Sequence, residues 1–361
     1  MIKWLTELLI DTSSKLAFLH YISFRAISAA ITALLVTLFL GPTLIKLLHR
    51  IKFGQSIRND GPNSHLQKQG TPTMGGTLMI MSVLIASLLW QDWHNIFSWL
   101  LLVALVCFGT LGFIDDYLKI KKRNSDGISG WIKTIGQIII SIGLLSVIYV
   151  YYTRTMQSTT LLTTLVVLHK MSLDLSWFYI PFGIILLVGT SNATNLTDGL
   201  DGLLTGLLII AFSTFAILTY ISGHTLWAAY LHIPYVPYTS EMTVVIMAII
   251  GACIGFLWYN AHPAQVFMGD TGSLAFGGVL GLIAIIIKKE LLLIVIGAIF
   301  VAEALSVILQ VAYFKYTKKK YGTGRRIFRM SPLHHHFEQI GWPETKVVMR
   351  FWILGALCAL L

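Results

Sequence analysis

Charged residues are scarce in this 361-residue chain: Asp, Glu, Lys and Arg make up 12% of it, against 56% hydrophobic residues. A soluble domain carries about twice that share of charge, so a globule bathed in water is excluded. There are three cysteines, Cys107, Cys253 and Cys358, each inside an apolar run and none at metal-ligand spacing, which excludes a disulfide framework and structural zinc. Glycine-rich phosphate loops of the Walker or dinucleotide type are missing, so a soluble nucleotide fold is not the binder of any nucleotide. No long polar stretch separates the apolar runs between Ile22 and Leu361, and the chain is expected to form one membrane domain over 1–361. Residues 1–25 include Glu7, Asp11 and Lys15 without a long apolar core and small-residue cleavage site, so no cleaved signal peptide is expected.

What is present is a series of apolar stretches, each near the roughly 20 residues needed to cross the hydrocarbon core. Ten begin near Ile22, Met74, Ile96, Lys133, Trp177, Leu203, Met242, Ser273, Leu291 and Val347. The expected architecture is all-α, a polytopic membrane protein of about ten helices. Lys and Arg concentrate on one side, at Arg50 to Lys68, Lys119 to Arg123 and Lys318 to Arg329. Cytoplasmic loops carry that excess, which places segments near 49–73, 115–132, 192–202, 260–272 and 317–346 in the cytoplasm and both termini outside. The net charge of +10 is thereby read as topology and anionic-ligand binding, with no nucleic acid among the partners.

The acids then form a pattern. Asp115, Asp116, Asp198, Asp201 and Asp270 all fall at span ends on the basic side. A single carboxylate at such a place is most often a helix cap or a headgroup-level charge, but five on one face point to a site. Asp115 and Asp116 precede Lys119 to Arg123, and neighbours on a helix point about 100° apart, so one could face a metal and the other a reacting phosphate. Asn195, Asp198 and Asp201 are three apart and share a face, with Gly199 and Gly202 allowing close approach. Asp270 opens a helix after a polar loop containing Asn260 and Phe267; Phe267 fits either an interfacial anchor or a stacking platform for a base.

Before the last span, His334, His335 and His336 follow Arg325, Arg326 and Arg329. Tandem histidines lack the ligand spacing of zinc, and imidazoles beside arginines suit an anionic diphosphate. Carboxylates with Lys and His beside a membrane suggest a divalent ion bridging phosphate oxygens, and oxygen ligands favour magnesium, with manganese as a substitute.

These segments carry a resemblance. GTPTMGG (70–76), FIDD (113–116), NLTDGLDG (195–202), PAQVFMGD (263–270), the His triplet and GWPE (341–344) make the chain similar, along nearly its whole length, to the polyprenyl-phosphate N-acetylhexosamine-1-phosphate transferases. The PAQVFMGD run and the triplet resemble the muramoyl-pentapeptide branch. The resemblance implies transfer of phospho-MurNAc-pentapeptide from UDP-MurNAc-pentapeptide to undecaprenyl phosphate, giving lipid I and UMP with magnesium, in the bacterial inner membrane with the site facing the cytoplasm. It implies ten spans, a homodimer and surrounding membrane lipids. By position it makes Asp115, Asp116 and Asp270 the essential acids. Asp270 is the magnesium ligand, with Asp115 and Asp116 as further candidates. Lys68, Asn195, Asp198, Gly199, Asp201, Asn260 and Phe267 fall at nucleotide-pocket positions, and the histidines in a loop over the sugar diphosphate. Lys133 and His335 are expected to offset charge during transfer.

Two rivals have distinct signatures. A sister transferase moving GlcNAc-1-phosphate would share the acidic motifs and differ in donor. An ion-coupled transporter would place its acids near the midplane, often in repeated halves, whereas these acids lie at one surface. Glu303 and Gln310, seven apart inside the ninth span, share a face without an evident role.

Overall fold

The computed structural model describes residues 1–3, 18–50, 70–122, 127–154, 164–168 and 171–361; Lys68 lies outside the described residues. Helices dominate, because long apolar runs in lipid can satisfy their backbone groups only within the segment. In chain order they are α1 (Ile22–Arg50), α2 (Gly76–Trp90), α3 (Ile96–Lys122), α4 (Gly130–Arg154), α5 (Tyr179–Thr197), α6 (Leu203–Ser222), α7 (Thr225–Tyr230), α8 (Met242–Asn260), α9 (Gly269–Ile286), α10 (Glu290–Ile296), α11 (Ala298–Tyr321), α12 (Leu333–Ile340) and α13 (Glu344–Leu360). Among the described residues, eight segments, containing α1, α3, α4, α5, α6, α8, α9 and α11, are long and apolar enough to cross a membrane. The second and tenth expected spans correspond to shorter helices, α2 with 15 residues and α13 with 17. The chain is an all-α polytopic membrane protein.

Three local features differ from the sequence reading. The expected ninth span is broken at Gly297 into α10 and α11. The connection from α4 to α5 contains an antiparallel hairpin, β1 (Thr164–Leu168) with β2 (Met171–Asp174). Helix α3 continues through Lys122, so Asp115 to Lys119 are helical rather than the start of a loop.

The centre of the bundle is α9, 16 of whose 18 residues are buried. It packs most extensively on α3 and α5, while α8 packs on α1 and α6. Small residues allow this closeness. A Cβ on Gly112 of α3 would sit 2.1 Å from the Asp270 carbonyl oxygen, and one on Gly76 of α2 would sit 2.2 Å from the Gly272 nitrogen. The start of α9 is thus held directly against α2 and α3. Outward faces of α4 and α11 expose large apolar side chains such as Ile139 and Ile308, an apolar belt suited to lipid.

The chain reversals bring the C-terminal ends of α3, α5 and α8 to the same end of the bundle as the N-terminal ends of α4, α6 and α9. The other end is fastened by buried pairs. Arg25 of α1 forms a bidentate pair with Glu241, Nη2 to Oε2 being 2.9 Å, and Glu241 also accepts from the Asp92 N–H at 2.9 Å. Lys288 Nζ donates to the Tyr179 hydroxyl at 2.7 Å and lies 3.6 Å from Glu290.

Candidate active site

Asp115 and Asp116 occupy the last two turns of α3, and Asp270 is the second residue of α9. Because α3 and α9 touch through Gly112, the three carboxylates converge, offering oxygens within 4.8 Å of one another. Their environments are unequal. Asp116 accepts from the Asp270 N–H (3.2 Å), the Thr271 N–H (2.9 Å) and the Thr271 hydroxyl (2.8 Å), so its oxygens are spent on the first turn of α9. Asp115 accepts from the Ile128 N–H at 2.6 Å and pairs with Lys119 at 2.6 Å. Asp270, the most open of the three, meets Lys133 at 2.7 Å and Lys119 at 2.9 Å through Oδ2. Its Oδ1 accepts from the Asn195 amide at 2.7 Å.

Lys119 was not singled out by the sequence reading, where it belonged to a basic loop. Helical spacing was the available signal: it is four residues after Asp115 and three after Asp116, a turn that brings all three to one side. Lys133, one turn into α4, also approaches Asp115 (3.9 Å) and Asn195 (3.5 Å). Four helices therefore meet on one carboxylate.

Three carboxyl groups face two ammonium groups here. Octahedral magnesium, with oxygens at about 2.1 Å, spaces its ligand atoms no more than about 4.2 Å apart; the trio's 4.8 Å limit is within small side-chain motions of that. The all-oxygen donor set also suits a hard divalent cation over zinc. Asp115, Asp116 and Asp270 could hold such an ion, and Asp115 and Asp270 have the freer oxygens.

Asp198, just past the C-terminal end of α5, borders this cluster. Burial, followed by the charges of Asp270 and Asp116, pushes its carboxyl up to about 8, opposed by a hydrogen bond from the Gly269 backbone and by Lys119. Gly199 is covered by His334: a Cβ there would fall 2.1 Å from Nε2. Asp201 stands apart, accepting from the Ala264 N–H and contacting His262 Nδ1, both at 3.1 Å, while its own N–H donates to Glu344 at 2.7 Å. Asn260 uses its amide inside the protein, accepting from Thr205 (2.8 Å) and donating to the Val266 carbonyl (3.0 Å), which shapes the loop leading to Phe267. Half-buried Phe267 is tied by its backbone to Pro72 and Gly75.

The three histidines have different polar partners, although the rings of His334 and His335 pack with centroids 4.2 Å apart. His334 is fully buried beside Glu303 (3.1 Å), His335 contacts Glu338 (2.8 Å), and His336 accepts from the Arg329 N–H (3.1 Å). The site as a whole joins a polar segment rich in Asn, Asp and Gly to an acid–lysine cluster, at one end of an apolar bundle.

Comparison with known proteins agrees with this architecture. The glycosyl transferase family 4 model matches residues 98–288, spanning both elements of the acid cluster. A phospho-N-acetylmuramoyl-pentapeptide-transferase of Thermodesulfovibrio yellowstonii is 48% identical over 351 residues, covering 97% of this chain and 95% of that protein. Proteins of the same name from Rickettsia prowazekii and Desulfosudis oleivorans are 48% and 50% identical over 343 residues, each covering 95% of this chain and 92% of its own. The chain belongs to glycosyl transferase family 4 and, within it, to the phospho-N-acetylmuramoyl-pentapeptide-transferases.

Proposed function

We propose that this membrane phospho-sugar transferase moves phospho-MurNAc-pentapeptide from UDP-MurNAc-pentapeptide to undecaprenyl phosphate, producing lipid I and UMP. The observation that carries the reading is the convergence of Asp115, Asp116, Asp270, Lys119 and Lys133 at one end of the bundle. There a lipid phosphate can meet a water-soluble donor. The Lys and Arg bias supports a cytoplasmic position for that end, with both termini outside, and the membrane is taken to be the bacterial inner membrane.

In the reaction an oxygen of undecaprenyl phosphate attacks the β-phosphorus of the donor. The new P–O bond forms as the bond from that phosphorus to the α–β bridging oxygen breaks, and UMP leaves with the electron pair. Magnesium would supply a positive centre for the diphosphate oxygens and their developing charge. Asp270 and Asp115 would hold it, and Asp116 would brace the first turn of α9. Asp115 or Asp116 would orient the lipid phosphate or take its proton. Lys133 and Lys119 would offset negative charge as the bridge breaks. Asn195, Asp198, Gly199, Asp201 and Phe267 would form the donor pocket, with Phe267 stacking on the base; His335 would lie over the sugar diphosphate. Lys68 is assigned to the donor on sequence alone.

Detergent-solubilised protein with both substrates and magnesium should release UMP and form a lipid-linked sugar, and the product should vanish on chelation and in Asp270→Asn. Product from UDP-GlcNAc in place of the muramoyl donor would refute the donor assignment. A stoichiometric burst of UMP without acceptor lipid would refute direct attack and favour an aspartyl-phosphate intermediate.

A further inference from the structure

In an ordinary span of a helical bundle the buried stripe is apolar, but α11 inverts this. Of its five buried residues, Phe300, Glu303, Ser306, Gln310 and Thr317, four are polar. Glu303, Gln310 and Thr317 are spaced by seven, so they line one face at steps of about 10.5 Å. Each grips the returning chain. The Thr317 hydroxyl accepts from the Arg325 N–H at 2.8 Å. Gln310 accepts from the Ile327 and Phe328 N–H groups, both at 3.0 Å, and donates to the Phe328 carbonyl at 3.1 Å. Glu303 accepts from the His334 N–H at 3.2 Å and lies 3.1 Å from its Nδ1.

The segment from Arg325 to His334 therefore runs antiparallel along roughly 21 Å of α11, within reach of nine partly extended residues. Its last rung delivers His334, whose ring lies against Gly199. A carboxylate buried in a span is costly unless partnered. Among the described residues, Glu303 Oε1 meets this segment through the N–H and the ring of His334.

We propose that Glu303, Gln310 and Thr317 are positioning residues. They form a rail that docks the His-containing segment against Gly199 and so fixes one wall of the donor pocket, touching no substrate themselves. The inference rests on reading the Asn195–Gly202 segment as donor-binding.

The test combines donor KM and kcat with trypsin cleavage at Arg325, Arg326 and Arg329 in the substrate-free, detergent-solubilised protein. Glu303→Leu and Gln310→Leu should each raise donor KM about tenfold, the cost of a lost buried hydrogen-bond set, with kcat within about threefold of wild type. Their double variant should resemble the worse single one, because both act through one segment. Glu303→Gln, which keeps an oxygen for the His334 N–H, should restore KM to within about threefold. Thr317→Val, nearly isosteric, should accelerate trypsin cleavage as the leucine variants do and keeps the test open should those fold poorly. Wild-type KM and cleavage rates in the variants, or a fully multiplicative double variant, would overturn the rail. Failure of the wild type to use the muramoyl donor would refute the donor reading instead, and the cleavage rates would still decide whether the segment is docked.

Discussion

Adding one methyl group at Gly112 should disable the acid cluster without changing its charge. The Cβ of Gly112→Ala would lie 2.1 Å from the Asp270 carbonyl oxygen, where an ordinary non-bonded contact needs about 3.5 Å. The opposing atom is backbone in the first turn of α9, so no side chain can swing aside. Helices α3 and α9 must part by roughly 1.4 Å along that line. The Thr271 hydrogen bonds to Asp116, now 2.9 and 2.8 Å, would stretch beyond bonding distance. Misplacement by about 1 Å can cost on the order of a hundredfold in rate, and overpacking typically costs about 1–3 kcal/mol of stability. The check is UMP release by purified Gly112→Ala beside Gly143→Ala. Gly143 makes the same exchange inside α4 with nothing among the described residues within 4 Å of its Cβ, and should keep wild-type activity. Activity of Gly112→Ala within about threefold of wild type would refute the claim that tight α3–α9 contact sets the carboxylate geometry.

Other perturbations bear on separate parts of the structure. Lys133→Met removes the 2.7 Å contact to Asp270 and should lower kcat about a hundredfold, as loss of a charge-stabilising donor does; steady-state kinetics at saturating lipid would read it. Asp198, with its carboxyl raised to about 8, is held protonated in the folded chain at pH values where an unfolded chain ionises it. The folded state therefore binds the extra proton, and stability should fall as pH rises from about 4 to 8, with a slope of at most about 1.4 kcal/mol per unit. Thermal melts in chelator should show this decline flattened in Asp198→Asn. At the far end, Arg25→Met strands Glu241 in a buried setting and should cost about 3–5 kcal/mol, much of it recovered in Arg25→Met with Glu241→Met; thermal unfolding in detergent measures both.

Features governed by hydropathy and charge were legible in the sequence. The ten apolar runs and the gathering of acids at their ends follow from what a bilayer tolerates, and the structure brings Asp115, Asp116, Asp270, Lys133 and Asn195 together. What escaped depends on where helices stop. Lys119 reads as part of a basic loop until α3 is known to continue through Lys122, after which its spacing to Asp115 is that of a salt bridge on one helix. The break at Gly297 is invisible to hydropathy, since Leu292 to Ile296 and Ile299 to Val301 are equally apolar on either side. The separate partners of the His triplet are not legible from sequence: consecutive helical residues point in different directions, so His334 turns inward while His336 accepts from the Arg329 N–H. Glu303 and Gln310 showed their common face by spacing, but the chain they grip returns from beyond the end of their own helix.

The depth of the cluster explains why a transferase, rather than an ion carrier, is built this way. Asp115 lies seven residues before the end of α3, about 10 Å along the helix axis, while Asp270 sits at the very start of α9. Asp115 thus lies about two turns inside the end of α3, and Asp270 meets it from the first turn of α9. Asp270 Oδ2 meets Lys119 and Lys133, and its Oδ1 meets Asn195, so all of these contacts sit at the same end of the bundle. A carrier must also open toward the opposite end. There α9 is buried almost all round, and the Arg25–Glu241 and Lys288–Glu290 contacts fasten neighbouring elements. Acids gathered at one end of the bundle, with ion pairs fastening the other, suit a reaction whose soluble substrate arrives and leaves on one side, with the lipid remaining in the membrane.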